Sequence, residues 1–428
     1  MSVWIEKAAL MGPDRVALEG PERTLTYAEL CRRAIAAATA VQELGVDGGR
    51  RRVALELPPG EDFVVALHAG MLAGAAVVPI DLRLSEPERA ARRARADVHV
   101  SEPLPSASCS GRRTARIVRD TTPLAVMHTS GTTSDPKPIV LSAGNFLASA
   151  LGSAVALGLD PQERWLCPMP LTHVGGLSIP IRSAIYGTTV VLHERFETEA
   201  VLRELMDPAR AVTLVSLVPT MLARLLDAGL GNPPTLRWAL LGGGPLPRAL
   251  LERATAAGVP IAPTYGMTEA CSQIATFGYP LAGVELAIAD GEVRVRGPIV
   301  SAGALADDGW LHTGDLGRFD ERGRIEIIGR TSDTIISGGE NVAPAEVEAV
   351  LLEHPDVADV GVHARPDAQW GESVVAKVVL RDGALVQAEA LQSFCAARIA
   401  RFKVPKTIEL VAELPRTGSG KLLRRQLR

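Results

Sequence analysis

The chain is poor in aromatic residues. Phe, Trp and Tyr make up 4% of its 428 residues, which leaves little for stacking against nucleic-acid bases. No cluster of Lys and Arg is interleaved with them, and the formal net charge is −4. The electrostatic footprint of a nucleic-acid binder is therefore missing. Cysteine is sparse as well. The five cysteines (Cys31, Cys109, Cys167, Cys271 and Cys395) are scattered, with no Cys-x-x-Cys. That pattern excludes a disulfide framework and a zinc ribbon, and suits the reducing cytoplasm. The first residues carry Glu6 and Lys7 and show no apolar core of a secretion signal. Long apolar runs are almost lacking too. Phe63 to Ile80 is one, but a membrane span needs about 20 apolar residues. This run holds His68 and ends in Val77-Val78-Pro79, so it reads as a buried helix followed by a buried strand.

What is present is alternation. Residues 24–45 open on a threonine cap and are amphipathic at helical spacing. Residues 51–58 form a short apolar run before prolines, a strand; helix 61–74 and strand 76–80 follow. Residues 85–100 read as a helix and a strand. Residues 211–219 are a buried strand, and 236–247 a strand running into a glycine turn. Such alternation predicts an α/β fold, with parallel sheets covered by helices. From Gly283 the pattern changes to period two with Asp-Gly and Arg-Gly turns, which predicts hairpins and a small barrel-like part. After Arg330 come a helix, two strands, a helix and a basic tail, the content of a small α+β unit. The length exceeds what one core serves. The expected domains are 1–330 and a small mobile one, 331–428.

Several short stretches suggest anion chemistry. "TSGTTSDPKP" follows an expected strand and concentrates backbone N–H groups, hydroxyls and Lys137, a composition that can wrap phosphate oxygens. It is no Walker A loop. The tail "PRTGSGKLLRR" is none either: Pro415 and Leu422 stand where that loop needs glycine and Ser or Thr. In "PTYGMTEACSQ", Glu269 could hold Mg²⁺, which takes one or two carboxylates together with phosphate oxygens, and Tyr265 could stack on a base. In "WLHTGDLGRFD", Asp315 could accept two ribose hydroxyls. Each stretch alone has a plain alternative, a polar or structural turn.

Together, in this order and over nearly the whole chain, from "LTYAEL" to "GSGKLLRR", they resemble the adenylate-forming superfamily of acyl-CoA ligases, luciferases and peptide-synthetase adenylation domains. "WLCPMPLTHVGGLSIPIRSAIYGTTVVL", "LLGGGPLP" and "SDTIISGGENVAPAEVEAVLLEHPDV" are more narrowly similar to the o-succinylbenzoate–CoA ligases of menaquinone biosynthesis. The resemblance implies an AMP-forming acid–thiol ligase with Mg²⁺ as cofactor and ATP and coenzyme A as co-substrates. A carboxylic acid is first joined to AMP and then passed to CoA. A homodimer would be in keeping with ligases of this kind.

The same resemblance implies roles. Thr129, Ser130, Gly131, Thr132, Thr133 and Lys137 would hold the β- and γ-phosphates. Thr268 would touch the α-phosphate and Glu269 the metal. Gly242, Gly243 and Gly244 would flank adenine, and Tyr265 and Gly266 would also belong to the ATP site. Asp315 would bind ribose, with Arg330 beside it. Lys421 would bridge the carboxylate and the α-phosphate in the first half-reaction only. Rotation at a hinge near Ser332 would withdraw it and bring Gly338 and Gly339 to the pantetheine channel. His173 would stand between the acyl pocket and the thiol path. Gly175, Gly176, Ser178, Arg182, Ser272 and Gln273 would line the acyl site, with Arg182, Ser272 and Gln273 toward the substrate's second carboxylate. For His173 a hydrogen-bonded core histidine stays open, and for Arg182 a surface arginine on the far face of a helix.

Two positions depart from the family pattern. Ser134 and Pro138 stand where the phosphate loop usually has glycine, and Pro138 removes a backbone N–H. The chain is also short for the superfamily, mainly in its N-terminal half. Two other functions remain: a ligase for a fatty acid or a benzoate, and a nucleotide-binding protein without catalysis.

Overall fold

The computed structural model describes residues 4–45, 51–105, 119–128, 137–416 and 422–427. The expected phosphate-loop residues Thr129 to Thr133, and Lys421, lie outside them.

Two largely parallel sheets form the bulk of the chain. The larger has nine strands. Its middle runs Ile261–Tyr265, Trp238–Leu241, Leu214–Leu217, Arg164–Cys167, Thr189–Leu192 and Val16–Glu19, all parallel. Short antiparallel strands close both ends. The second sheet orders Val98–Val100, Arg52–Leu55, Ala76–Pro79 and Pro123–His128 in parallel, with Pro138–Ser142 antiparallel at its edge. The central strands are buried along nearly their whole length, as expected where helices cover both faces. The apolar run at 63–80 resolves into helix Glu61–Ala73 and strand Ala76–Pro79. Among the described residues no helix is long and apolar enough to cross a membrane.

One boundary differs from the sequence expectation. Residues 24–26 are a strand paired with Val16–Glu19, and the helix starts only at Tyr27. Thr26 caps it in a reciprocal box: its hydroxyl accepts from the Glu29 N–H at 3.2 Å, and the Glu29 carboxylate accepts from the Thr26 N–H at 2.8 Å. The cap is thus Thr26 and not the threonine that opens the stretch, because residues 24–26 pair with an open strand edge.

The hairpin region is a four-stranded antiparallel sheet, Glu285–Ala289, Glu292–Arg296, Leu311–Phe319 and Ile325–Arg330. It packs its own apolar cluster around Val293, Val295 and Leu311. After the turn Thr331–Asp333 a further cluster draws only on residues from Ile335 to Ile408. It fills the space between helices Pro344–Leu351 and Ala388–Ala396 and a sheet led by the long hairpin Val357–Asp367 and Gly371–Leu380.

Candidate active site

In open parallel sheets, ligands meet the carboxyl ends of the strands. Those ends carry the chemistry-bearing stretches here. Trp238–Leu241 runs into Gly242, Ile261–Tyr265 into Gly266, and Pro123–His128 into Thr129. His128 pairs with Pro138, so the two strands bounding the phosphate-loop stretch are joined at its base. Pro138 is the first residue of an edge strand, a position where the missing N–H removes no central ladder bond. Its departure from the family pattern is thus structurally inexpensive.

The turn bearing Thr268 and Glu269 is fastened from several sides. Thr268–Ala270 is a single 3₁₀ turn. The Ser301 N–H donates to the Glu269 carbonyl at 2.8 Å, and the Ser301 hydroxyl donates to the Val140 carbonyl at 2.8 Å. Ser301 therefore links the turn to the strand that follows Lys137. Cys271 and Ser272 continue with φ of 51° and 89°, a left-handed course that costs non-glycine residues energy. Gly266 makes that course possible: a Cβ there would lie 1.6 Å from the Ser272 carbonyl oxygen. Glu269 is half-buried, and no group of three metal-ligating side chains occurs among the described residues. A single carboxylate fits Mg²⁺ only when phosphate oxygens and water complete the shell, which is how Mg²⁺ is commonly held.

Asp315 is 5% exposed. Its Oδ2 accepts from the Tyr265 hydroxyl at 2.8 Å and its Oδ1 from Arg330 Nε at 2.7 Å. Each oxygen retains a free lone pair, so the carboxylate can still accept from a vicinal diol. Burial and the adjoining Asp315 charge push the Tyr265 phenol far above its usual range; it stays a donor at any working pH. Gly242 is needed for packing, since a Cβ would lie 2.7 Å from the Thr264 methyl, and Gly243 has φ of 79°. Gly244 has no such constraint; its nearest neighbour, Pro219, is in ordinary contact.

His173 occupies the N-cap position of helix Val174–Tyr186 without a side-chain cap bond, and it is exposed. The core-histidine alternative does not hold. Desolvation first, then Arg83 and Arg92, press its pKa below that of free imidazole, against the pull of Asp81. These three neighbours were not singled out from sequence. Their signal was position: Asp81 follows the carboxyl end of strand Ala76–Pro79, and its carboxylate lies 3.5 Å from the Thr172 hydroxyl, beyond the carboxyl end of strand Arg164–Cys167, so the contact links the two sheets at their strand ends.

Arg182 is no surface residue. It is 2% exposed, stacked over Trp165 with 5.8 Å from Cζ to the ring centroid. Its Nη2 donates to the Ser149 hydroxyl at 2.8 Å, which in turn donates to the Cys271 carbonyl at 2.8 Å. No carboxylate pairs with it among the described residues, and its Nε lacks a partner there. Burial lowers its pKa. Nearby, Gln273 is 1% exposed; its amide nitrogen reaches Thr276 at 3.1 Å while its oxygen has no partner among the described residues. Ser178 instead donates back to the Val174 carbonyl at 2.6 Å, so its proton is committed to its own helix. Gly176 is set by packing as well: a Cβ would lie 2.3 Å from the Pro170 carbonyl oxygen. Gly175 meets only the flexible end of Met169, at 3.3 Å. In the small unit Gly338 and Gly339 have φ of 61° and 86°; the first packs on Trp370, the second faces open space.

The model for AMP-binding enzymes matches residues 5–101 and 90–305, and the model for the AMP-binding enzyme C-terminal domain matches 346–421. The chain belongs to the AMP-binding enzyme family. Among curated members, the 2-succinylbenzoate–CoA ligase of Bacillus licheniformis is 37% identical over 99% of this chain and 98% of its own length. The o-succinylbenzoate CoA synthetase of Bacillus subtilis, solved with the acyl-adenylate intermediate, is 36% identical over 100% of this chain and 98% of that one, with a TM-score of 0.89. With ATP and magnesium the same enzyme gives 0.88. A double mutant of it bound to a product analogue gives 0.71 at the same identity and coverage. As a whole, this AMP-binding enzyme therefore resembles the adenylate-bound structure more closely than the product-analogue complex.

Proposed function

We propose that the chain is an o-succinylbenzoate–CoA ligase acting in menaquinone biosynthesis. It converts 2-succinylbenzoate, ATP and CoA into succinylbenzoyl-CoA, AMP and diphosphate. The observation that carries this reading is the full-length likeness to the Bacillus subtilis synthetase.

In the first step a substrate carboxylate oxygen attacks the α-phosphorus of ATP and pyrophosphate leaves. Thr129, Ser130, Gly131, Thr132, Thr133 and Lys137 hold the β- and γ-phosphates, and Thr268 the α-phosphate. Mg²⁺, when bound at Glu269, neutralises charge on the phosphates. Gly242, Gly243, Gly244, Tyr265 and Gly266 border adenine, and Asp315, steadied by Tyr265 and Arg330, takes the ribose. Lys421 supplies a compact positive charge between the carboxylate and the α-phosphate. In the second step the CoA sulfur attacks the acyl carbon, the thiol proton departs to solvent or base, and AMP leaves. His173 borders that path, and its lowered pKa keeps it neutral at pH 7.

Arg182 supports the aromatic dicarboxylate. A buried cation needs an anion nearby, and the second carboxylate of the substrate supplies one, with Ser272 and Gln273 alongside. The scattered thiols suit the cytoplasm. The unit 331–428 turns about Ser332; its separate apolar cluster and the two TM-scores, 0.89 and 0.71, support two positions.

The test is the product, identified by mass after incubation with ATP, Mg²⁺, CoA and a panel of acids. Succinylbenzoyl-CoA is expected. A strong preference for a fatty acid or a simple benzoate would replace the substrate assignment, and exchange of pyrophosphate without any thioester would end the ligase reading.

A further inference from the structure

We infer that Arg424 is a positioning residue for the first half-reaction, tying the chain end that carries Lys421 to the pivot of the small domain. The inference rests on the ligase reading above. Arg424 Nε donates to Asp333 Oδ2 at 3.2 Å. Its Nη2 donates to Glu348 Oε2 at 3.2 Å, and its Nη1 donates to Glu348 Oε1 and, at 2.6 Å, to the Val362 carbonyl. Glu348 is 7% exposed and also accepts from the Val362 N–H at 2.7 Å. One guanidinium thus joins helix Pro344–Leu351, strand Val357–Asp367 and the last residue of the turn Thr331–Asp333. A planar fork with fixed charge can hold three acceptors at set angles; a lysine cannot.

Lys421 stands three residues before Arg424 in the sequence, so the chain keeps them within about 11 Å. The residues on either side of 417–421 are themselves held. Arg416 bridges to Leu422, the Leu423 N–H donates to the Pro415 carbonyl at 2.9 Å, and Arg416 grips Asp359 at 2.6 and 3.1 Å. On the other side of the turn, Arg330 is held by Asp315 at 2.7 Å. Two arginine–carboxylate anchors therefore bracket Thr331 and Ser332, with the bond from the Thr334 hydroxyl to the Arg330 carbonyl, 3.0 Å, crossing them. The first anchor belongs to the ribose site and the second to the lysine's segment. Rotation at two residues then carries Asp333, Arg424 and the residues that flank 417–421 as one body. A misplacement of about 1 Å at the reacting atoms can cost about a hundredfold in rate.

The experiment measures the two half-reactions separately in full-length Arg424→Gln, Arg424→Lys and Asp333→Asn enzymes. Arg424→Gln should lower the kcat of carboxylate-dependent ATP–pyrophosphate exchange by about a hundredfold, with the KM for ATP unchanged. Thioester formation from preformed acyl-adenylate should run at the wild-type rate. Arg424→Lys should not restore exchange, since the charge returns without the fork. Asp333→Asn cuts only the arm to the pivot and should show the same split to a smaller degree; it decides the matter if Arg424→Gln does not fold. Equal loss of both half-reactions in a folded variant, or normal exchange in Asp333→Asn, would overturn the assignment. Wild-type protein that exchanges pyrophosphate with no carboxylic acid would instead sink the ligase reading beneath it.

Discussion

At the scale of single residues, the proposed ribose site rests on a hydrogen bond that no local pattern announces. Tyr265 and Asp315 are fifty positions apart, and the phenol holds the carboxylate in place without exhausting it. Tyr265→Phe should raise the KM for ATP about tenfold, the worth of one charge-assisted bond, and leave kcat nearly unchanged; steady-state kinetics against ATP check this. His68 gives a second prediction. It is 1% exposed, and burial lowers its pKa to about 4. In the unfolded chain an imidazole titrates near 6.5. Between these values the unfolded state binds a proton that the folded state refuses, so stability falls as pH drops from about 6.5 toward 4, by up to roughly 3 kcal/mol. Urea unfolding at pH 7.5 and 5 should show this loss, and His68→Leu should lessen it.

At the scale of elements, glycines mark where chain segments touch. Gly266 lets the turn at Thr268–Ala270 fold back on Ser272. Gly266→Ala should cost about 1–3 kcal/mol through overpacking, and the displaced turn should lower pyrophosphate exchange by about a hundredfold. Denaturant unfolding and the exchange assay measure the two losses separately. Wild-type exchange in this variant would show that the turn does not set the α-phosphate contact. The helix start at Tyr27 teaches the complementary lesson: a threonine cap was readable from side-chain chemistry, whereas its place at Thr26 follows from strand Thr24–Thr26, which depends on a distant partner, Val16–Glu19.

At the scale of the whole molecule, the proposed mechanism makes the activity depend on where one unit stands relative to the other. Lys421→Ala should abolish adenylate formation and largely spare thioester formation from preformed acyl-adenylate. Equal loss of both would refute the two-position mechanism. The sequence by itself determined the alternation of helices and strands, the hairpins after Gly283 and the order of the stretches proposed for phosphate, metal and ribose. These follow from spacing along the chain and from residues whose local conformational demands are strong, such as the glycines of the turn at 242–244. Tertiary structure alone decided that Arg182 is buried against Trp165 and Ser149, that Ser301 fastens the Glu269 turn to the strand after Lys137, and that Arg424 reaches Asp333. Such contacts follow from strand order and close packing between segments far apart in sequence, and periodicity within a segment carries no information about either.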